Sequence, residues 1–167
     1  MTSLQCHLTA KDFAYLQSLP TAARDDGEAF SSLLRLKLST ATLVLDHTID
    51  HRIATIDSRV RFSIGGGHTE ERVLARDDKG DVLALPVTTL RGLALVGLRE
   101  NDVFPLRKPD GIIEPIRLIK VVYQPEAARR SDPENAVVQF QPRWRQSLGT
   151  SAPQPDPLND DPGPGAA

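Results

Sequence analysis

The sequence predicts an α+β protein: a short N-terminal pair of helices, then a twisted antiparallel sheet carrying one short helix. Three observations predict it. Apolar residues recur at three- and four-residue spacing up to about Ala41, alternate singly from about Asp57, and give way to a proline-rich segment at the C-terminal end.

In the helical part, Thr9 is placed to cap a first helix. Phe13, Tyr15 and Leu16 line one side of it, and Leu19-Pro20 ends it. Thr21 to Gly27 holds no apolar residue larger than alanine and includes Arg24-Asp25-Asp26-Gly27, a turn composition. A second helix runs from about Glu28 to Ala41, with Phe30, Leu33, Leu34, Leu38 and Ala41 in helical register. Two amphipathic helices joined by a polar turn make an antiparallel hairpin. Neither is long enough to be stable alone in water.

In the sheet part, Arg59 to Ile64 points Val60, Phe62 and Ile64 to one face. Gly65-Gly66-Gly67-His68 is a turn, Glu70 to Ala75 a return strand, Asp77 to Asp81 a second turn, and Val82 to Val87 a third strand. Thr88 or Thr89 caps a helix from Leu90 to Val96 that Gly97 ends. Asp102 to Leu106 and Ile112 to Tyr123 are the last strands. The expected division is a helical hairpin over 1–48, a sheet domain over 49–128 and a disordered tail over 129–167. Five of the last 17 residues are proline, and Leu158 is their one large apolar residue.

Composition excludes several classes. Twenty basic residues against 22 acidic leave a net charge of −2, which argues against a protein held mainly by nucleic-acid phosphates. A single cysteine, Cys6, excludes an intramolecular disulfide and a cysteine-rich zinc site. No apolar run approaches the roughly 20 residues of a membrane span, and the first residues lack a secretory pattern, so the expected location is the cytoplasm.

Few motifs carry chemistry. His47 and His51 stand four apart, a zinc spacing on a helix, but the sequence around them is turn-like, and a solvated linker is the plainer reading. Cys6-His7 lies near a frayed terminus with nothing to orient a base. The glycine run lacks a following Lys-Ser/Thr and a helix, so it is a hairpin turn rather than a phosphate loop. Asp25, Asp26 and Glu28 cluster at the hairpin tip. They fit either a shared Mg²⁺ reached into a partner's active site or, more simply, a solvated turn with acids at a helix start. Arg143-Trp144-Arg145 offers a stacking or anchoring aromatic, or an incidental one in a polar tail.

Val121-Val122-Tyr123-Gln124-Pro125-Glu126-Ala127 resembles the end of the folded domain in the Rnk family, the regulators of nucleoside diphosphate kinase. Thr55-Ile56-Asp57-Ser58-Arg59-Val60-Arg61-Phe62 is similar to the family's opening strand, and Leu95-Val96-Gly97-Leu98-Arg99-Glu100-Asn101-Asp102 to its Leu-Leu-Gly-Leu-Arg-x-Gly-Asp turn. Leu34, Leu38 and Ala41 also fit, so the likeness spans about residues 8 to 128. These proteins are relatives of the transcript-cleavage factors GreA and GreB. The resemblance therefore implies an FKBP-like C-terminal domain of the GreA/GreB type behind an N-terminal antiparallel coiled coil. It further implies docking at the rim of the RNA polymerase secondary channel, around Pro86, Thr88, Thr89, Leu90 and Arg91. Thr89 and Leu90 depart from the family's small residue and proline there, and Lys37 and Thr40 from its usual Glu and Arg.

A helix of ten to fourteen residues spans only about 15–20 Å, short of the much longer Gre coiled coil. The tip acids Asp25, Asp26 and Glu28 are thus expected to stop short of the polymerase metal. The expected protein is a monomeric, non-enzymatic transcription modulator without cleavage activity that competes with Gre factors. It needs no cofactor or metal, has no membrane partner, and meets DNA only indirectly. The alternative is direct contact with nucleoside diphosphate kinase or another metabolic enzyme. Isomerase activity, which the fold name suggests, is disfavoured: Phe62, Phe104 and Tyr123 are few aromatics for such a pocket, and core packing explains Phe62 and Tyr123.

Overall fold

The computed structural model describes residues 5–20, 27–77 and 79–132. The tip residues Asp25 and Asp26, the proline-rich segment and Trp144 lie outside them.

The described chain opens with strand β1 (Cys6–Thr9), whose last residue caps helix α1 (Ala10–Gln17). Thr9 Oγ1 accepts the Asp12 amide at 3.1 Å, the capping the sequence predicts. Helix α2 (Gly27–Thr40) runs into strand β2 (Ala41–Val44). Strands β1 and β2 pair in parallel, Cys6 opposite Ala41 and Thr9 opposite Val44. The two expected helices are therefore present, flanked by a parallel strand pair that the sequence reading lacks. Cys6-His7 is not a frayed terminus: the β1 ladder, and a hydrogen bond from His7 N to Gly97 O at 3.0 Å, hold it.

The second sheet has the order β5-β4-β3-β7-β6. Its members are β3 (Arg59–Ile64), β4 (Thr69–Ala75), β5 (Ala84–Pro86), β6 (Val103–Arg107) and β7 (Ile113–Tyr123). The β3–β4, β3–β7 and β6–β7 pairs are antiparallel, but β5 joins β4 in parallel. The expected strand over Val82 to Val87 shrinks to three residues because Asp81 turns the chain: its carboxylate accepts from Leu83 N and its carbonyl from Ala84 N. Gly65 and Gly66 both adopt positive φ, at 58° and 75°, which makes the β3–β4 turn cheap for glycine alone.

Helix α3 (Leu90–Leu95) lies on one face of this sheet, capped by Thr89 Oγ1 accepting from Gly92 N. A further helix absent from the sequence reading, α4 (Pro125–Ser131), starts at a proline one residue beyond the end of β7 and runs past residue 128. Val60, Phe62, Leu74, Phe104, Leu106, Ile116, Leu118 and Val121 from the strands pack with Leu90, Leu93 and Leu95. Leu8, Leu16, Phe30, Leu33 and Leu34 complete the same apolar cluster, so the N-terminal elements share one core with the sheet. No helix among the described residues is long and apolar enough to cross a membrane.

Candidate functional site

The loop from β5 to α3 carries the candidate docking residues. Pro86 ends β5, and its carbonyl accepts from Thr89 N at 3.0 Å and Thr89 Oγ1 at 2.7 Å, closing a tight turn. Gly92 lies directly over that carbonyl: a Cβ there would come within 2.1 Å of Pro86 O. The turn is thus clamped between the sheet edge and α3. Thr88 is half-buried and Thr89 exposed. Arg91 is exposed, 3.6 Å from the Glu114 carboxylate. Leu90 is only 7% exposed and packs into the core, so it positions the turn and does not present itself to a partner. The structure therefore brings Pro86, Thr88, Thr89 and Arg91 together at one surface, with Leu90 beneath them.

Of the tip acids, Glu28 is described. It is exposed in the first turn of α2 and lines an open groove of about 590 Å³ between α2 and the β6 segment, together with Leu36, Pro105 and Lys108. Phe62 and Tyr123 do not share a pocket. Phe62 is buried, but Tyr123 stands opposite Arg59 on the solvent side of β7 and is 51% exposed, so core packing does not explain it. His51 Nδ1 contacts the Asp50 carboxylate at 3.5 Å. Among the described residues no group of three histidine, cysteine or acidic side chains is assembled for a metal.

Two buried polar centres tie the N-terminal elements to the sheet, and the sequence reading does not anticipate either. At the first, Lys37 is 2% exposed and donates to Ala94 O at 2.7 Å and to Val96 O, carbonyls at the C-terminal end of α3. Its ammonium lies 5.4 Å from the Phe104 ring centroid. Burial pulls its pKa down to about 8. Cys6 shares Val96 O at 4.0 Å, and burial pushes its thiol up, away from the reactive thiolate.

At the second centre, Asp12 Oδ2 accepts the Ile56 amide at 3.1 Å, and Thr55 donates to Glu126 Oε2 at 2.7 Å. Ser58 Oγ accepts the Thr55 amide, and the Gln124 amide donates to Asp50 O and Ile53 O. Helix α1, the 49–58 segment and α4 are thereby joined. The visible signals were the Thr55–Ser58 and Gln124–Glu126 runs, which read as motif positions with no stated role.

Burial first, and the Glu126 charge with it, raise the Asp12 pKa from 3.8 to about 6 against the Ile56 hydrogen bond. A raised acid pKa stabilises the fold fully below 3.8, and that contribution is lost as pH rises through 6. At about 1.4 kcal/mol per unit, stability should drop by about 3 kcal/mol from this site between pH 4 and 7. Chemical denaturation across that range should show the drop in the wild type and a flatter profile in Asp12→Asn.

No family model matches the chain. Over 105 residues it is 30% identical to the regulator of nucleoside diphosphate kinase of Escherichia coli strain K12, a match covering 61% of this chain and 77% of that protein. The regulator of Shigella flexneri matches with the same identity and coverage. Among solved structures, the prokaryotic transcription elongation factor GreA/GreB from Nitrosomonas europaea superposes with a TM-score of 0.53 at 23% identity, over 71% of this chain and 100% of that one. The mixed α+β fold is thus of the GreA/GreB kind.

Proposed function

The chain belongs to the family of regulators of nucleoside diphosphate kinase, and from that premise we propose that it is a transcription modulator that binds RNA polymerase at the secondary-channel rim. The observation that carries this reading is the coincidence of that family with a GreA/GreB-type fold over 71% of the chain. The β5–α3 turn is the proposed docking surface. Its rigidity favours binding, because a turn fixed by the Pro86 carbonyl and Gly92 has little conformational entropy left to lose.

The protein acts without cleaving transcripts. Helices α1 and α2 have 8 and 14 residues, which limits their rise to about 12 and 21 Å. The acids Asp25, Asp26 and Glu28 at the proposed hairpin tip then stop short of the polymerase metal, and an acid out of reach cannot ligate it. Occupying the rim without cleaving makes the protein a competitor of Gre factors. DNA is met only through the transcription complex, and the acting form is a monomer in the cytoplasm.

The variant Arg91→Ala tests the docking surface, leaving the Thr89 cap of α3 and buried Leu90 in place. It should weaken polymerase binding by about fivefold or more with a nearly unchanged melting temperature, because Arg91 is exposed and its pair with Glu114 contributes little to stability. Unchanged binding would exclude the turn.

The name of these relatives, regulators of nucleoside diphosphate kinase, favours a second reading, direct contact with that kinase. Co-purification separates the two: polymerase subunits in the first case, the kinase in the second.

A further inference from the structure

The global charge of −2 conceals a strongly basic surface. The face of the five-stranded sheet turned away from the core follows from the strand register. Arg59 stands opposite Tyr123, Arg61 opposite Lys120 and Ser63 opposite Arg117, while Arg107 continues the face on β6. Lys120 reaches this side because the register shifts between Arg61 and Phe62. Strict alternation from Ile116 and Leu118 would have turned it into the core. All five cations are exposed.

Among the described strand residues on this face, Glu71 is the one carboxylate. It lies 2.9 Å from Arg61 and 3.9 Å from Arg59. Arg107, Arg117 and Lys120 have no carboxylate within ion-pairing distance among the described residues.

We propose that this sheet face binds the backbone of a single-stranded nucleic acid, with Tyr123 as the stacking platform for a base. Adjacent strands lie about 4.8 Å apart and alternate residues of one strand about 6.7 Å apart. Cations on β6, β7 and β3 therefore form a two-dimensional array that a flexible polyanion can follow. Four of the five are arginines, whose planar fork matches phosphate oxygens in pairs. The half-exposed Tyr123 ring beside Arg59 has no packing role in the core, and an aromatic set among cations on an open sheet is how single strands are held without sequence preference. An acidic protein surface would satisfy the cations but leave the ring unexplained. The proposal is independent of the polymerase reading, since the β5–α3 turn takes no part in it.

The test is fluorescence anisotropy of the full-length chain with a fluorescein-labelled twelve-nucleotide oligouridylate over a salt series. Binding should weaken with salt, with a log–log slope of about −3 for four phosphate contacts. Arg117→Glu/Lys120→Glu should cost about tenfold or more and flatten that slope by about 1.4. Tyr123→Ala should cost about tenfold with the slope unchanged, and Glu71→Gln should tighten binding by releasing Arg59 and Arg61.

The residues Arg143, Trp144 and Arg145 are untouched in every variant, so the losses report the sheet. All these positions are at the surface, and an unchanged thermal melt verifies folding. No binding at low salt would overturn the proposal. So would an equal loss from the exposed pair Arg35→Glu/Lys79→Glu, which lies outside these strands, because that would make the effect one of net charge. A polyglutamate peptide that binds this face more tightly than the oligonucleotide would reassign it to an acidic protein. A DNA duplex bound as tightly as the single strand, with no effect of Tyr123→Ala, would also refute it.

Discussion

Replacing Gly92 by alanine is expected to destabilise the protein by about 3 kcal/mol or more. The added Cβ would lie 2.1 Å from Pro86 O, 2.8 Å from Pro86 C and 3.0 Å from Val87 Cα. All three are backbone atoms, so no side-chain rotation relieves the clash. Helix α3 must move off the end of β5, and Leu90, Leu93 and Leu95 must leave their places in the core with it. Overpacking of a close-packed interior costs roughly 1–3 kcal/mol where neighbours can shift and more where they cannot. A domain of this size has about 5–15 kcal/mol in total. Urea denaturation measures the loss. A change below about 1 kcal/mol would mean that α3 does not sit against Pro86 as described, and the β5–α3 turn would lose its rigid base.

Lys37→Met is expected to cost about 3 kcal/mol at pH 7 while keeping the side-chain volume. The methionine cannot donate, so Ala94 O and Val96 O lose the ammonium that satisfies them at the end of α3. Each buried acceptor left unsatisfied costs about 1–3 kcal/mol, and the contact with Phe104 goes too.

The pH dependence identifies the cause. Because burial lowers the Lys37 pKa from 10.5 to about 8, the unfolded chain holds a proton between these values that the folded one has released. Its contribution is fully present above 10.5 and is lost as pH falls through 8. The wild type should therefore gain up to about 3 kcal/mol from this site on going from pH 8 to 10.5, and Lys37→Met should not. Parallel profiles for the two proteins would place the amine in water.

The same two residues show what could be read from the sequence. Helix α2 was legible because Phe30, Leu33, Leu34 and Leu38 repeat at helical spacing, and the cap of α3 because Thr89 precedes an apolar run. The strands β3, β4, β6 and β7 followed from alternation and from glycine turns. Lys37 lies on the apolar side of that helix, yet its partners are 57 and 59 residues away. A charged residue in an apolar stripe does not say which carbonyls it will cap.

Strands β1 and β2 were not legible because four residues each give no period, and a parallel pair across two helices has no turn to mark it. The Asp12–Ile56 and Thr55–Glu126 links are likewise long-range. At the candidate site, Leu90 was read as a surface residue although its burial places it beneath the β5–α3 turn. Lys120 is exposed only because the β3–β7 register slips beside it, and a sequence does not announce a bulge.

The central claim is occupancy of the polymerase rim, and a pull-down with purified RNA polymerase in the presence of excess Gre factor tests it most directly. The account predicts that the folded, full-length protein is retained by polymerase and that the Gre factor displaces it. Retention that the competitor does not reduce, or no retention of a folded and monodisperse protein, would contradict it.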